Sequence, residues 1–183
     1  MKTVIGLSGS LRKGSFNSAL LRASVELAPP SLKIEVGTIA GIPLYDGDVE
    51  RESGSPAPVA ALKDRIAAAD ALLLVTPEYN SGIPGVFKNA IDWLSRPPAD
   101  MPRVFGGKQV ALMGATPTRG GTRVSQAAWL PVLRTLGTQP WFGQQLYIAG
   151  ADEVFDPQGV LVDQKIRGIV AKFMAGFAKH LGE

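Results

Sequence analysis

The run Ala71-Leu-Leu-Leu-Val75 is apolar at every position and is closed at once by Thr76-Pro77. A strand with no polar side has nothing to show to water, so it belongs in the interior of a sheet covered on both faces, the usual condition of a parallel sheet. The segments around it keep alternating between strand and helix signals. Lys2–Leu7, Lys33–Val36, Lys108–Gly114 and Gln144–Ile148 read as four further strands, making five. Between them lie helical stretches: Ser18–Leu27, with Leu21, Val25 and Ala28 on one face and Pro29-Pro30 as its stop; Val59–Ala69; and a helix opening at Pro84 with Val86, Phe87, Ala90, Ile91 and Leu94 as its stripe. Another ends near Gly137, and Pro131 inside it means that it starts late or kinks. The last, Val162–Leu181, has Ile166, Ile169, Val170, Phe173, Phe177 and Leu181 as its buried stripe. The Pro- and Gly-rich passage from Gly41 to Pro58 reads as a long surface loop. Strands alternating with helices give an α/β chain whose helices cover both faces of one parallel sheet, and 183 residues with no internal repeat or linker make a single domain over residues 1–183.

Composition removes several classes of function. The absence of cysteine excludes a disulfide framework, a thiol nucleophile and any sulfur-built metal site, and His180 as the one histidine leaves no histidine-based triad. No metal ligand set is expected. His180 reads as an ordinary residue near a helix C-terminus. No apolar run approaches the ~18 residues of a membrane span, and Gly6 and Ser8 break up the N-terminal segment where a signal peptide needs its apolar stretch, so a cytoplasmic protein without membrane contact is expected.

The formal charge of +3 comes from 19 basic and 16 acidic residues, but its distribution matters more. Before Glu26 stand Lys2, Arg12, Lys13 and Arg22 with no acid; between Asp100 and Asp152 stand Arg103, Lys108, Arg119, Arg123 and Arg134, again with none. No helix is rich in Lys and Arg and no aromatics interleave with the basic residues, so nucleic acid is not the expected partner. Small anions are.

In sheets of this kind ligands bind beyond the carboxyl ends of the strands, so the loops after strands one, three and four are the ones to question. After the first comes Gly6-Leu-Ser-Gly-Ser-Leu-Arg-Lys-Gly-Ser-Phe-Asn17, dense in hydroxyls and opening a helix. Unpaired N–H groups of a first helical turn and the helix dipole favour an anion there; Ser10, Ser15, Asn17 and Ser18 add side-chain donors, and Arg12 a planar fork. A phosphate monoester suits this loop better than simple capping does. Gly9 and Gly14 have the Walker A spacing, but Ser15 stands where the lysine is required, and the glycines do not make a dinucleotide fingerprint. After the third strand, Thr76-Pro-Glu-Tyr-Asn-Ser-Gly-Ile-Pro-Gly85 is stiffened at both ends by proline, with Tyr79 presenting an aromatic face. From its residues alone it is either a ligand platform or a plain turn.

Together, Gly9-Ser-Leu-Arg-Lys-Gly-Ser-Phe-Asn17 and Thr76-Pro-Glu-Tyr-Asn80, the latter followed by Ile83-Pro-Gly-Val-Phe-Lys-Asn-Ala-Ile-Asp-Trp-Leu-Ser95, resemble the NADPH-dependent FMN reductase family, with the nearest likeness to its bacterial quinone and chromate reductases. The resemblance extends through Pro43-Leu-Tyr-Asp46 and Gly120-Gly-Thr-Arg123. It implies a flavodoxin-like three-layer sandwich with strand order 2-1-3-4-5 and a non-covalent FMN whose flavin N5 carries the chemistry, so that no catalytic side chain is required. By position, Ser10, Arg12, Ser15, Phe16 and Asn17 would hold the phosphate; Pro77, Glu78, Tyr79 and Asn80, with Ser81 and Gly82, would run along the ring; Thr116, Pro117, Gly120 and Gly121 would close the third side. NADPH or NADH would be the donor, with Tyr79, Arg119 and Arg123 as substrate contacts, and quinones, flavins or oxyanions such as chromate the acceptors. The chain departs from the family pattern at Ser81-Gly82, in the length of the loop Ala115–Gly121 and at Pro131, departures that bear on acceptor preference. Phe87, Ile91 and Trp93 give their helix a stripe wider than one core needs, so a homodimer or homotetramer is expected. A flavodoxin-like electron carrier and a flavin-binding regulator without its own substrate remain the other readings.

Overall fold

The computed structural model describes residues 1–182. In chain order its elements are β1 (Lys2–Ser8), α1 (Phe16–Leu27), β2 (Leu32–Gly37), α2 (Gly47–Ser53), α3 (Ala57–Ala68), β3 (Ala71–Val75), α4 (Gly85–Leu94), a 3₁₀ turn (Pro98–Asp100), α5 (Met101–Phe105), β4 (Gln109–Ala115), α6 (Arg123–Thr135), β5 (Gln139–Pro140), β6 (Leu146–Ile148), α7 (Ala151–Val154) and α8 (Gln164–His180). Strands β2-β1-β3-β4-β5 are neighbours in that order, all parallel, with β6 also on β4. This is the flavodoxin-like order. All five residues of β3 are fully buried, as the continuous apolar run requires.

Successive residues of the strands feed two separate cores, because side chains alternate across a sheet. Val4, Leu73, Val75 and Met113 pack with Leu20 and Leu21 of α1 and with Phe173 and Phe177 of α8. On the other face Ile5, Leu7, Leu72 and Leu74 meet Phe87, Ile91 and Trp93 of α4 and Trp129 and Leu133 of α6. Among the described residues no helix is long and apolar enough to cross a membrane.

Several expectations change here. The segment 41–58 is not loop throughout, since α2 lies within it, capped by Asp46, whose Oδ1 accepts from the Asp48 amide at 2.8 Å. No residue of α2 is buried, so it lacks the apolar period by which a helix is recognised. The fifth strand position is shared by two short pieces: Gln139 and Pro140 pair with the start of β4 and Leu146–Ile148 with its end. Between them the chain leaves the sheet, and the Trp141 ring packs against Phe173 and Phe177 of α8 at centroid distances of 5.1 and 5.3 Å. Helix α6 starts at Arg123 and runs through Pro131. Val25, Val86 and Ile169, expected in buried stripes, are 41%, 39% and 40% exposed; Ser24, Trp93 and Met174 are buried on those helices. Phe87, Ile91 and Trp93 are consumed by the chain's own core, so the supposed surplus stripe of α4 does not argue for self-association.

Candidate functional site

At the carboxyl end of β1 the chain makes an open turn rather than entering the helix directly. The Gly9 amide donates to the Val75 carbonyl at 2.9 Å, tying the loop to β3, and a methyl group on Gly9 would overlap the Phe87 ring. Glycine is what lets the loop sit this close to the core. Ser15 then caps α1, its buried Oγ accepting from the Ser18 amide at 3.2 Å. Phe16 and Asn17 open the helix, and their amides have no acceptor among the described residues, which leaves them available to an anion. The Arg12 guanidinium lies 6.0 Å from the Phe16 ring centroid, exposed and without a carboxylate partner among the described residues.

Asn17 has a different role from the one its spacing implies. Its buried amide donates to the Ala115 carbonyl and accepts from the Ala115 amide, at 2.8 and 2.9 Å. The side chain clasps β4 and only the backbone N–H faces the mouth of the loop.

The loop after β3 is held from below. Thr76 Oγ1 donates to the Pro77 carbonyl at 2.9 Å, accepts from the Trp129 indole at 3.0 Å and lies 3.0 Å from Ser125 Oγ. Glu78 supplies what Thr122, at the N-terminus of α6, does not: its Oε2 accepts from the Ser125 amide at 3.0 Å and caps that helix from another loop. Tyr79 and Gly82 exchange two backbone bonds, 3.2 and 3.0 Å, around Asn80 and Ser81 at φ of 49° and 58°. Two positive φ values between paired residues make a tight turn of the I′ type. The turn leaves Asn80 and Ser81 exposed and projects Tyr79, which is 48% exposed, beside the loop.

These two loops and the one after β4 enclose a cleft of about 390 Å³. Ser10, Arg12, Ser15, Phe16 and Asn17 form one wall, Pro77, Glu78 and Tyr79 the second, Thr116 and Pro117 the third. Asn80, Ser81, Gly82, Gly120 and Gly121 do not line it. Neither do Arg119 and Arg123, the latter lying 5.3 Å from the Tyr147 ring centroid. Gly121 has φ 64° and packs on Tyr147. Ala115, which no sequence signal marks, belongs to the cleft through its clasp with Asn17.

The donor set is asymmetric. At the α1 end stand Arg12, two serine hydroxyls and two free amides; the one carboxylate, Glu78, is across the cleft with an oxygen engaged by Ser125. That end suits a dianion, and on the second wall Pro77 and the exposed Tyr79 supply ring surfaces for a ligand's apolar part. The residues present therefore fit a phosphate-bearing aromatic cofactor such as FMN.

Comparison with known proteins agrees with this geometry. The chain is 46% identical to an NAD(P)H-dependent FMN reductase of Pseudomonas aeruginosa over 167 residues, covering 91% of this chain and 88% of that one. It is 38% identical to a 2-hydroxy-1,4-benzoquinone reductase of a Burkholderia species, covering 93% and 91%. Among solved structures it resembles a flavoenzyme NAD(P)H:(acceptor) oxidoreductase from Paracoccus denitrificans, with a TM-score of 0.87 and 34% identity over 99% of this chain and 97% of that one. The model of the NADPH-dependent FMN reductase family matches residues 2–153, and the chain belongs to that family.

Proposed function

We propose that the chain is an FMN-dependent NAD(P)H oxidoreductase that passes electrons to quinones. The observation that carries this is the three-loop cleft, with its one cation and its two free helix amides gathered at the α1 end and Pro77 and Tyr79 opposite, in a member of this family. Ser10, Arg12, Ser15 and the Phe16 and Asn17 amides hold the phosphate. Pro77, Glu78 and Tyr79 run along the ring system, and Thr116 and Pro117 close it from the third side. When bound, FMN supplies the redox chemistry, taking hydride from a reduced nicotinamide and returning two electrons to the acceptor, so no side-chain acid or base is needed. The protein positions both partners and keeps the ring wall rigid. Asn80, Ser81, Gly82, Gly120 and Gly121 shape the rim, and Arg119 and Arg123 meet anionic substrates outside the cleft.

A quinone acceptor is supported by the name of the Burkholderia relative; free flavins and oxyanions such as chromate complete the proposed range. The proposal takes residues 1–183 as one FMN-binding domain acting in the cytoplasm, where reduced nicotinamide nucleotides are found. It also takes the chain to self-associate as a dimer or tetramer. Exposed Leu44, Val49 and Val86 support this, Val86 standing one turn from Asn89, which holds the Tyr45 amide at 2.8 Å. Light scattering at micromolar concentration should give a mass above one chain.

The test of the activity is anaerobic titration of FMN-reconstituted protein with NADPH, followed by addition of 1,4-benzoquinone. Bleaching of the flavin band by NADPH and its return with quinone, at a turnover above that of free FMN, is the expected result. An electron carrier or regulator would show no such turnover, and absence of saturable FMN binding would overturn all the flavin readings.

A further inference from the structure

The β1–α1 loop has a second side. Across it from the FMN cleft lies another cleft of about 390 Å³, between this loop, one flank of α1 and the chain leaving β2. Three cations line it, Arg12, Lys13 and Arg22, and no carboxylate does. None of the three has an ion pair among the described residues; Arg22 has one bond, to the Gly159 carbonyl at 3.3 Å. The acid of β2, Glu35, is turned away, paired with Lys33 and Arg65. Leu11 and Val36, 55% and 53% exposed, stand on two sides of the same cleft, which gives a planar group apolar contact on both flanks.

The position is informative on general grounds. In dinucleotide-binding sheets, the related doubly wound order, an acid at the end of the second strand reads a free ribose 2′-hydroxyl, and a nearby arginine accommodates a 2′-phosphate. Here Gly37 ends β2 and Thr38 follows it, where the acid would be, and the charges lining the cleft are all positive. We propose that this second cleft binds a phosphorylated ribonucleoside, its phosphate on Lys13 and Arg22 and its base between Leu11 and Val36. Arg12 lines both clefts, so a ligand here is electrostatically coupled to the phosphate in the other. The inference goes beyond the flavin reading and does not depend on it.

The test is calorimetric titration of the protein with adenosine 2′,5′-bisphosphate, with and without saturating FMN, inorganic phosphate serving as comparator. We expect one saturable site that persists in the FMN-loaded protein, with inorganic phosphate at least tenfold weaker. The double substitution Lys13→Ala with Arg22→Ala should weaken binding at least tenfold, while Arg134→Ala on the far helix leaves it unchanged. Ala40→Trp, which fills the cleft without altering charge, should abolish it, and an unchanged cooperative thermal transition by circular dichroism shows that each variant is folded. Three outcomes overturn the proposal: binding abolished by FMN, which places the ligand in the first cleft; equal binding of inorganic phosphate, which leaves only an anion patch; and binding insensitive to both sets of substitutions. FMN reduction by NADPH in the same preparation separates failure of this site from failure of the oxidoreductase reading.

Discussion

Asn17 and Ala115 are joined by two hydrogen bonds that use the whole side-chain amide of Asn17, one to each backbone group of Ala115. The start of α1 and the end of β4 are thereby fixed to one another, and with them two of the three walls of the FMN cleft. Asn17→Ala leaves a buried N–H and a buried C=O without partners. At about 1–3 kcal/mol for each stranded group, stability should fall by roughly 2–6 kcal/mol. Urea denaturation of the FMN-free protein measures this; a loss confined to FMN affinity, with stability unchanged, would show that Asn17 serves the ligand rather than the fold.

Arg12 presents the opposite case. Its side chain is exposed and makes no ion pair among the described residues, so Arg12→Ala should leave the melting temperature nearly unaltered while weakening FMN by about 1.5–3 kcal/mol, the range of a charge-assisted bond. Fluorescence titration at two salt concentrations checks it, with a shallower salt dependence expected in the variant. Unchanged FMN affinity would remove Arg12 from the phosphate site.

Glu78 caps a helix to which it does not belong. Glu78→Ala should cost about 1 kcal/mol through the lost cap of α6, and it should loosen the ring wall, seen as faster amide exchange at Ser125. If exchange at Ser125 is unaffected, the cap contributes nothing.

At the tip of the Tyr79–Gly82 turn, Ser81 holds φ 58° without the freedom of glycine. A left-handed conformation costs an L-residue roughly 1–2 kcal/mol, part of which glycine gives back in backbone entropy. Ser81→Gly should therefore stabilise the protein by about 0.5–1 kcal/mol, read as a rise in melting temperature; a fall would mean that the hydroxyl holds the turn.

Lys63 is 3% exposed and donates to Ser55 Oγ, to the Arg96 carbonyl and to Asp100 Oδ2, at 2.8, 2.6 and 2.8 Å. The bond from Lys63 holds the Asp100 carboxyl below its ordinary range; the Tyr45 hydroxyl does the same for Glu50, and the Thr3 amide for Asp70. Each is depressed in the folded state, so its contribution is whole above about pH 4, the unfolded carboxylate range, and is lost as pH falls through the folded value. Stability should be level at neutral pH and decline below about pH 4. Asp100→Ala should cost about 3 kcal/mol, the lower end for a broken buried pair because Asp100 is partly exposed, and Lys63→Met in the same chain should recover part of it. The rest stays lost because Ser55 Oγ and the Arg96 carbonyl lose their donor. Failure of that recovery would assign the loss to packing.

How much of this is legible before folding depends on what kind of signal a residue carries. The sheet is legible because Ala71–Val75 has no polar position, and the cleft because hydroxyls and glycines crowd into loops at strand ends. Phe16, Pro77 and Thr116 come with those motifs. The clasp of Asn17 is not legible: an asparagine at a helix start reads as a ligand donor, and its partner, an alanine, offers only backbone. Helix α2 has no buried residue and so no period, and Pro140 argues against a strand that edge position nonetheless permits. Val25, Val86 and Ile169 sit at the margins of apolar stripes, where a small rotation of the helix decides between core and solvent.

Gly9 packs on the Phe87 ring, Phe87 meets Trp129 edge to face at 5.0 Å, and the Trp129 indole holds Thr76. Both rings are fully buried. The gap between the phosphate-side loop and the ring-side loop is thus gauged by two aromatic plates that belong to neither. Loop residues can be exchanged to alter what enters, while the width of the opening stays calibrated by the hydrophobic interior; changing that width would require resizing Phe87 or Trp129.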